Sequence, residues 1–525
     1  MQGVHGPLTT GDLVIAADFG TSGVKVGAVD RDLTLRARVV ETYPLDLGPG
    51  GHAEQAPADW WWALARAIAR LTDEIPDLPQ RAGALSFGSQ ICGVVCVGED
   101  GAPLRPCLTW LDKRAAPLGR ALVGGAPQVH GYQIGKLLRW LRIANGAPAK
   151  NGMDPTAKFL WIKREEPEVF ARTRWFMDVK DWLVLRATGR PITTAESANL
   201  TWLMDTRRGR EGWSPRLAAM TGIPLDKLPE IADGADVVGT LTTGAAADLG
   251  LPAGLPVMGG VSDVTAAALG SGEVEDGALH ICIATSAWIS GFFPNRRLNV
   301  PASYATITSS VGFRPLLIAS QENAGSALEW AVKMTGGAET TETLATAFAQ
   351  VGEARPNDPY FLPWLAGERV PVDDDALRGV LHGLRLHHGP PEIRRAAIEG
   401  VALNIRWAYS KVAREKGVRL EGPISMVGGV AANPRFAQTL ADALHRPLRV
   451  GEARHAGVLG AAALAAPVLG WSATVWEAAA RLRGKTTATY TPDPDRAAAL
   501  DARNAQLAVI RRNAIRSFSR TRTRS

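Results

Sequence analysis

The chain has 525 residues, 46% apolar and 21% charged, so it can bury a large core; at roughly 100–200 residues per domain it should form two or three units. Its mean hydropathy is −0.02 and no apolar run approaches the ~18 residues of a bilayer span, which excludes a helical membrane protein. The formal charge of +6 belongs to the end of the chain: without the six arginines from Arg511 to Arg524, 52 basic residues face 52 acidic ones. The body therefore reads as neutral and the arginine-rich end as a solvated tail, with a phosphate-binding or membrane-surface arm as the alternative.

In chain order, Met1–Asp12 has no basic patch followed by an apolar core, so a flexible N-terminus rather than a signal peptide is expected. Leu13–Ala17 is a strand candidate, followed by the Gly-bearing stretch Asp18–Gly23 and a second strand, Val24–Val29. Trp60–Thr72 predicts a helix, Ala82–Phe87 a buried strand, and Lys158–Glu166 and Pro167–Arg174 further helices. Around Ala278 the opening plan returns: Ala278–Ile283, then Ala284-Thr-Ser286, then Trp288–Phe293. Two hairpins with hydroxyl-bearing turns, half a chain apart, predict two related lobes, with a boundary near the glycine-rich segment Gly259–Gly272. Glu392–Lys416 carries one apolar stripe and predicts a long helix; Ser425–Val427 predicts a strand into Gly428-Gly429, and Pro434–Leu444 the helix after it. Strands alternating with helices in both halves predict an α/β fold.

Cys92, Cys96, Cys107 and Cys282 form no Cys-x-x-Cys pair, and the nine histidines show no zinc spacing; His382, His387 and His388 read as a surface loop. So few cysteines fit a reducing, cytoplasmic compartment. Phosphate binding favours glycine and small hydroxyl residues in tight turns, where backbone N–H groups face the anion. Gly20-Thr21-Ser22, Ala284-Thr285-Ser286 and Gly428-Gly429 qualify; each alone is as well explained as a structural turn. Gly484-Lys485-Thr486 and Gly131–Leu137 do not have Walker-loop spacing.

The ordered motifs Asp18–Lys25, Ser89–Gly93, Trp110–Arg114, Gly259–Asp263, Phe361–Arg369 and Val427–Asn433 carry a resemblance. From about Leu13 to Leu469 the chain is similar to the FGGY carbohydrate kinases, xylulokinase-like, within the superfamily that also holds actin and the heat-shock chaperones. The resemblance implies two actin-like (ribonuclease H-like) lobes with a cleft between them: a sugar-binding lobe over 13–262 and a nucleotide-binding lobe over 263–485, with 486–525 as a C-terminal segment. It implies ATP and Mg²⁺ as cofactors, a small sugar or polyol as substrate, no nucleic-acid or membrane partner, and a homodimer as one open oligomeric state.

Position by position, Asp18 matches the carboxylate that orients the magnesium–phosphate group, and Gly20, Thr21, Ser22 and Lys25 match the first phosphate loop. Thr285 matches the second, Gly325 and Glu329 a segment beside the nucleotide, and Gly428, Gly429 and Asn433 the adenosine motif. Asp263 matches the catalytic base with a share in the metal site, against the plainer reading of a loop-capping carboxylate; Gln90, Ile91, Cys92 and Val264 match the sugar side. Trp60–Trp62 and Trp364 read as packing, Glu368–Arg369 as an internal ion pair, and Asp112 and Arg114 as either substrate contacts or a structural pair. Three departures stand out: Ile91-Cys92 where many xylulokinases have Met-His, Val264 where they have Asn, and alanines at 284 and 287 where the turn is usually flanked by glycine.

The implied function is ATP-dependent phosphorylation of a ketose or polyol hydroxyl. The alternatives are an FGGY kinase of another acceptor (ribulose, heptulose, erythrulose, a cyclitol), a sugar-independent ATPase, or a non-catalytic sugar or nucleotide sensor.

Overall fold

Leu13–Phe19 is apolar up to Asp18 and forms a strand at the centre of a sheet, antiparallel to Gly23–Asp30 and parallel to Ala82–Ser89. The computed structural model describes residues 11–522 apart from 338–340, 350, 353–354 and 356. The N-terminal residues 1–10, expected to be flexible, and Arg524 lie outside them.

By contacts the chain forms two compact units, each assembled from three segments: Met1–Gly270, Thr306–Leu316 and Gly457–Arg481 in the first, Ser271–Ala305, Leu317–Ala456 and Leu482–Ser525 in the second. A linear division at 262/263 therefore differs from the packing, because two later segments return to the first unit.

The first unit's seven-stranded sheet runs Val237–Thr240, Pro256–Met258, Ala82–Ser89, Leu13–Phe19, Gly23–Asp30, Leu35–Thr42, with Val261–Ser262 also on Ala82–Ser89. Helix Pro57–Glu74 covers it with Trp60, Trp61, Leu64, Ile68 and Leu71, one buried stripe at helical spacing. Trp60 and Trp61 are core as expected; Trp62 is half exposed. On this sheet Ser86 Oγ donates to the Ala461 carbonyl at 2.7 Å, and the small residues Ala461–Ala463 bring helix Ala456–Ala463 close to the strands.

The second unit's sheet repeats the plan. His280–Ile283 is antiparallel to Ala287–Phe292 and parallel to Ile424–Val427, as Leu13–Phe19 is to its two neighbours. Its core is the long helix Pro390–Val412 with Pro434–Leu444, and Trp364 is buried there with its indole N–H on Asn404 Oδ1 at 3.3 Å.

The C-terminal segment is solvated only in part: Arg512 and Arg516 are exposed, but its apolar face is not. Pro494–Arg522 is one helix whose Leu500, Leu507, Ile510, Ile515 and Phe518 pack on the second unit's core. Arg503 is buried, paired with Glu399 at 2.5 Å, donating to the Pro359 carbonyl at 2.8 Å and lying over Tyr360. Arg511 is buried with its guanidinium 4.3 Å from the Trp407 ring. Burial pushes the Glu399 carboxyl up and Arg511 down to about 10. No helix among the described residues is long and apolar enough to cross a membrane.

Candidate active site

Three parallel strands of the first unit end in register. Asp18 lies opposite Gly88 and Phe19 opposite Ser89, while Ser262 lies opposite Ser89 from the other side. Asp18, Gln90 and Asp263 therefore share the carboxyl edge of one sheet, the place where open α/β sheets gather ligands. Ser262, not Asp263, caps the helix Asp263–Gly270: its Oγ accepts from the N–H groups of Val264 and Thr265 at 3.2 and 3.3 Å. The cap is therefore chiefly Ser262, and Asp263 Oδ1 is buried with no hydrogen-bond partner among the described residues.

Burial, then the charges of Asp18 and Glu196, hold the Asp263 carboxyl well above the usual carboxylate range; the Val264 N–H opposes them. Burial also raises Asp18, against the Lys25 ammonium 4.0 Å away, yet Asp18 keeps 15% of its side-chain surface open. A Cβ added to Gly457 would fall 2.3 Å from Asp18 Oδ2, so that helical turn must be glycine for the carboxylate to lie where it does.

Sequence reading missed the acids around this pair. Glu196 is buried; its Oε2 accepts from Thr265 Oγ1 at 2.6 Å and Ser310 Oγ at 3.0 Å, its Oε1 has no partner among the described residues, and burial raises its pKa. Asp178 accepts from the Gly93 N–H at 3.0 Å, the Val179 N–H at 2.9 Å and Ser197 Oγ at 3.0 Å; burial and Asp181 push its carboxyl up. Lys180 is buried in an ion pair with Asp181. The Asp178/Asp181 spacing before a helix is a capping box, the one signal that could have drawn attention to it.

The Ser89–Gly93 segment is held from several directions. The Gln90 N–H donates to the Phe19 carbonyl at 2.7 Å and its Nε2 to Gln55 Oε1 at 2.8 Å. Thr21 Oγ1 donates to Gln90 Oε1 at 3.2 Å and accepts from the Trp110 indole at 3.0 Å. The Thr21 hydroxyl is therefore part of this scaffold, while Ser22 and Lys25 stay exposed on the hairpin. Ile91 and Cys92 are half-buried, and Cys92 is left-handed at φ +63°. Lys158 is fully buried and donates to the carbonyls of Cys92 at 2.8 Å and Thr109 at 2.7 Å. Val264 is buried with its apolar side chain one residue past Asp263.

In the second unit, Thr285 is exposed at the tip of its hairpin. Neither Ala284 nor Ala287 has a positive φ, so this turn does not require glycine. Gly325 opens helix Gly325–Met334 by donating to the Ala284 carbonyl at 2.9 Å, and a Cβ there would lie 2.2 Å from that oxygen; close packing accounts for this glycine. Glu329 is exposed one turn on. Gly428 has φ +96° with Ile283 O 2.3 Å from its ideal Cβ, whereas Gly429 has nothing within 4 Å and offers open backbone. Asn433 spends its carboxamide oxygen capping the next helix through the Phe436 N–H at 3.1 Å.

Two pairings are settled elsewhere. Glu368 and Arg369 do not pair with each other's side chains: Arg369 Nε donates to Glu322 Oε1 at 2.8 Å, and Glu368, pushed up to about 7 by burial, accepts from Asn404 Nδ2 at 2.5 Å. Arg114 pairs with Asp112 at 2.7 Å and with Glu54, a structural pair. His52, Glu54 and Asp112 converge closely enough for a metal, but Arg114 and Arg105 already balance the two acids.

Comparison with known proteins places this geometry. The chain matches the N-terminal domain of the FGGY family of carbohydrate kinases over residues 13–270 and its C-terminal domain over 292–468. It is 30% identical to the xylulose kinase of Escherichia coli (strain K12) across 86% of this chain and 89% of that one. The solved gluconate kinase of Lactobacillus acidophilus is 25% identical with a TM-score of 0.84, covering 97% of this chain and 99% of its own. The ligand-bound xylulose kinase of the same organism is 25% identical with a TM-score of 0.83 over the same shares. Two domain matches in order, and a relative of this identity over most of its length, establish the point: the chain belongs to the FGGY family of carbohydrate kinases, which transfer a phosphoryl group to an alcohol acceptor.

Proposed function

We propose that this kinase transfers the γ-phosphoryl group of ATP, with Mg²⁺, to a hydroxyl of a ketose or polyol in the cytoplasm. The observation that carries the reading is the pair of partly buried carboxylates, Asp18 and Asp263, at strand ends on either side of Gln90, with Asp263 Oδ1 itself shut off from solvent. A carboxylate with an unmet buried oxygen beside a second acid gains from a proton or a hard cation, so the residues present fit the roles proposed. Asp263 takes the proton of the attacking hydroxyl, and its raised pKa brings it nearer the operating pH of a general base. Asp18 would hold the magnesium ion through phosphate or water. In the second unit, Thr285 and the open backbone of Gly429 would hold nucleotide, with Gly428 setting the turn and Asn433 its helix cap. Nucleotide and ion, when bound, supply the phosphoryl group and the neutralising charge.

The acceptor follows from Cys92 and Val264. Relatives named for xylulose and for gluconate stand at comparable likeness, and neither name transfers by itself. A thiol is a weak donor and valine has no polar atom, so this side of the site discriminates hydroxyls weakly. D-Xylulose is then a poor substrate beside a ketose or polyol with fewer or altered hydroxyls near C2–C3. Two missing hydrogen bonds cost about 1–3 kcal/mol, roughly one to two decades in kcat/KM. ADP release across ketopentoses, ketohexoses, heptuloses, alditols, aldonates and cyclitols tests this directly. Cys92→His with Val264→Asn should move preference toward D-xylulose, and histidine is tolerated at the left-handed φ of residue 92. A wild-type preference for D-xylulose at ordinary kinase efficiency would sink the argument.

A further inference from the structure

In the first unit, helix Ile134–Ala144, the turn after strand Met204–Asp205 and the start of helix Pro215–Thr221 line a half-open cavity of about 670 Å³. Its charged lining is Arg139, Arg142, Arg207, Arg210 and Arg216 against Asp205 alone. That is a local excess of four positive charges in a chain whose formal net charge is +6, so the body is neutral in sum but not in distribution.

Asp205 does not neutralise the group. Both of its oxygens are taken by Arg207, at 2.9 and 2.5 Å. Arg139, Arg210 and Arg216 have no ion-pair partner for their guanidinium groups among the described residues. Some arginines of the unit are paired, Arg66 and Arg70 sharing Glu41, Arg105 and Arg114 sharing Glu54, and Arg186 holding Asp248. Arg139, Arg210 and Arg216 are exposed, so water screens their repulsion, and an anion that meets two or more of them at once gains from all of them. Guanidinium forks match phosphate and carboxylate oxygens in pairs. The Trp213 indole gives the cavity an apolar wall, its N–H being spent on the Pro229 carbonyl at 2.8 Å. The volume lies within the ~300–1,000 Å³ of small-molecule sites.

We propose that this cavity binds a small organic polyanion with two or more phosphate or carboxylate groups, at residues that share none of the Asp18–Asp263 constellation. The test is calorimetric titration of the full chain with tripolyphosphate and with citrate at low and physiological salt. Arg139→Ala/Arg210→Ala/Arg216→Ala should weaken binding of whichever probe the wild type takes at least tenfold, with melting temperature and basal ADP release retained. The matching lysine triple should keep part of the affinity. Arg216→Glu alone, an exposed change, gives the same direction should the triple variant fold poorly. Tripolyphosphate bound without citrate, or the reverse, assigns the anion chemistry within the proposal. Binding unchanged in the variants places the anion elsewhere and overturns it. So does a wild type that takes neither probe at millimolar concentration, or one that binds only duplex DNA.

Discussion

Asp263 and Asp18 each have a physical signature that a substitution can read. Folding raises the Asp263 pKa, so the native state holds its proton over a window in which the unfolded chain has lost it. The favourable term is complete below the ordinary carboxylate pKa and is lost as pH rises through the raised one. Asp263→Asn should therefore melt at or above the wild-type temperature at pH 7, with the difference shrinking toward pH 4, while kcat falls by roughly 10²–10⁴-fold. Activity within a few-fold of wild type would remove Asp263 from the reaction. Asp18 can be tested without touching it. Gly457→Ala would put a methyl 2.3 Å from its Oδ2, in a helix where alanine is favoured over glycine by about 1 kcal/mol. The fold should hold while kcat/KM drops by about 10²-fold, the scale of an ångström-sized misplacement. Wild-type kinetics in that variant would mean that the carboxylate position is unimportant.

At the scale of elements, the C-terminal helix is the feature with the largest predicted effect on stability. Arg503→Ala leaves Glu399 buried without its cation and should cost about 3–5 kcal/mol, read as a lowered denaturation midpoint. Ending the chain after Ile510 removes Arg511, Ile515 and Phe518 from the core and should lower the midpoint too; an unchanged midpoint would return this segment to solvent. The hairpins, the stripe of Pro390–Val412 and the turn of Gly428 were legible because periodicity and glycine report directly on local geometry. The tail was not, although Leu500, Leu507, Ala514 and Phe518 recur at helical spacing. Arginines interrupt that stripe, and only the fold supplies the Glu399 carboxylate and the Trp407 ring that make burying them tolerable. Glu196 was invisible for the same reason, since nothing near it in sequence announces that Thr265 and Ser310 will arrive beside it. The Thr21 hydroxyl also bonds Gln90, a partner 69 residues away that the sequence does not announce.

For the molecule as a whole, nucleotide and sugar should act as ligands of the native state. An ATP analogue with Mg²⁺ at 100 times its Kd stabilises by about 2.7 kcal/mol, so the melting temperature should climb with concentration, and EDTA should abolish the shift if the ion is part of the site. A melting curve indifferent to nucleotide would contradict the proposed cofactor. The threading of the chain matters for anyone wishing to cut it. The first unit includes residues 306–316 and 457–481, and the latter bring Gly457 against Asp18 and Ala461 against Ser86. A gene fragment stopping at codon 270 would encode most of that unit and still lack a helix that packs on its sheet. Complementation by co-expressed fragments, or a circular permutant that rejoins these pieces, is the route to a separable half.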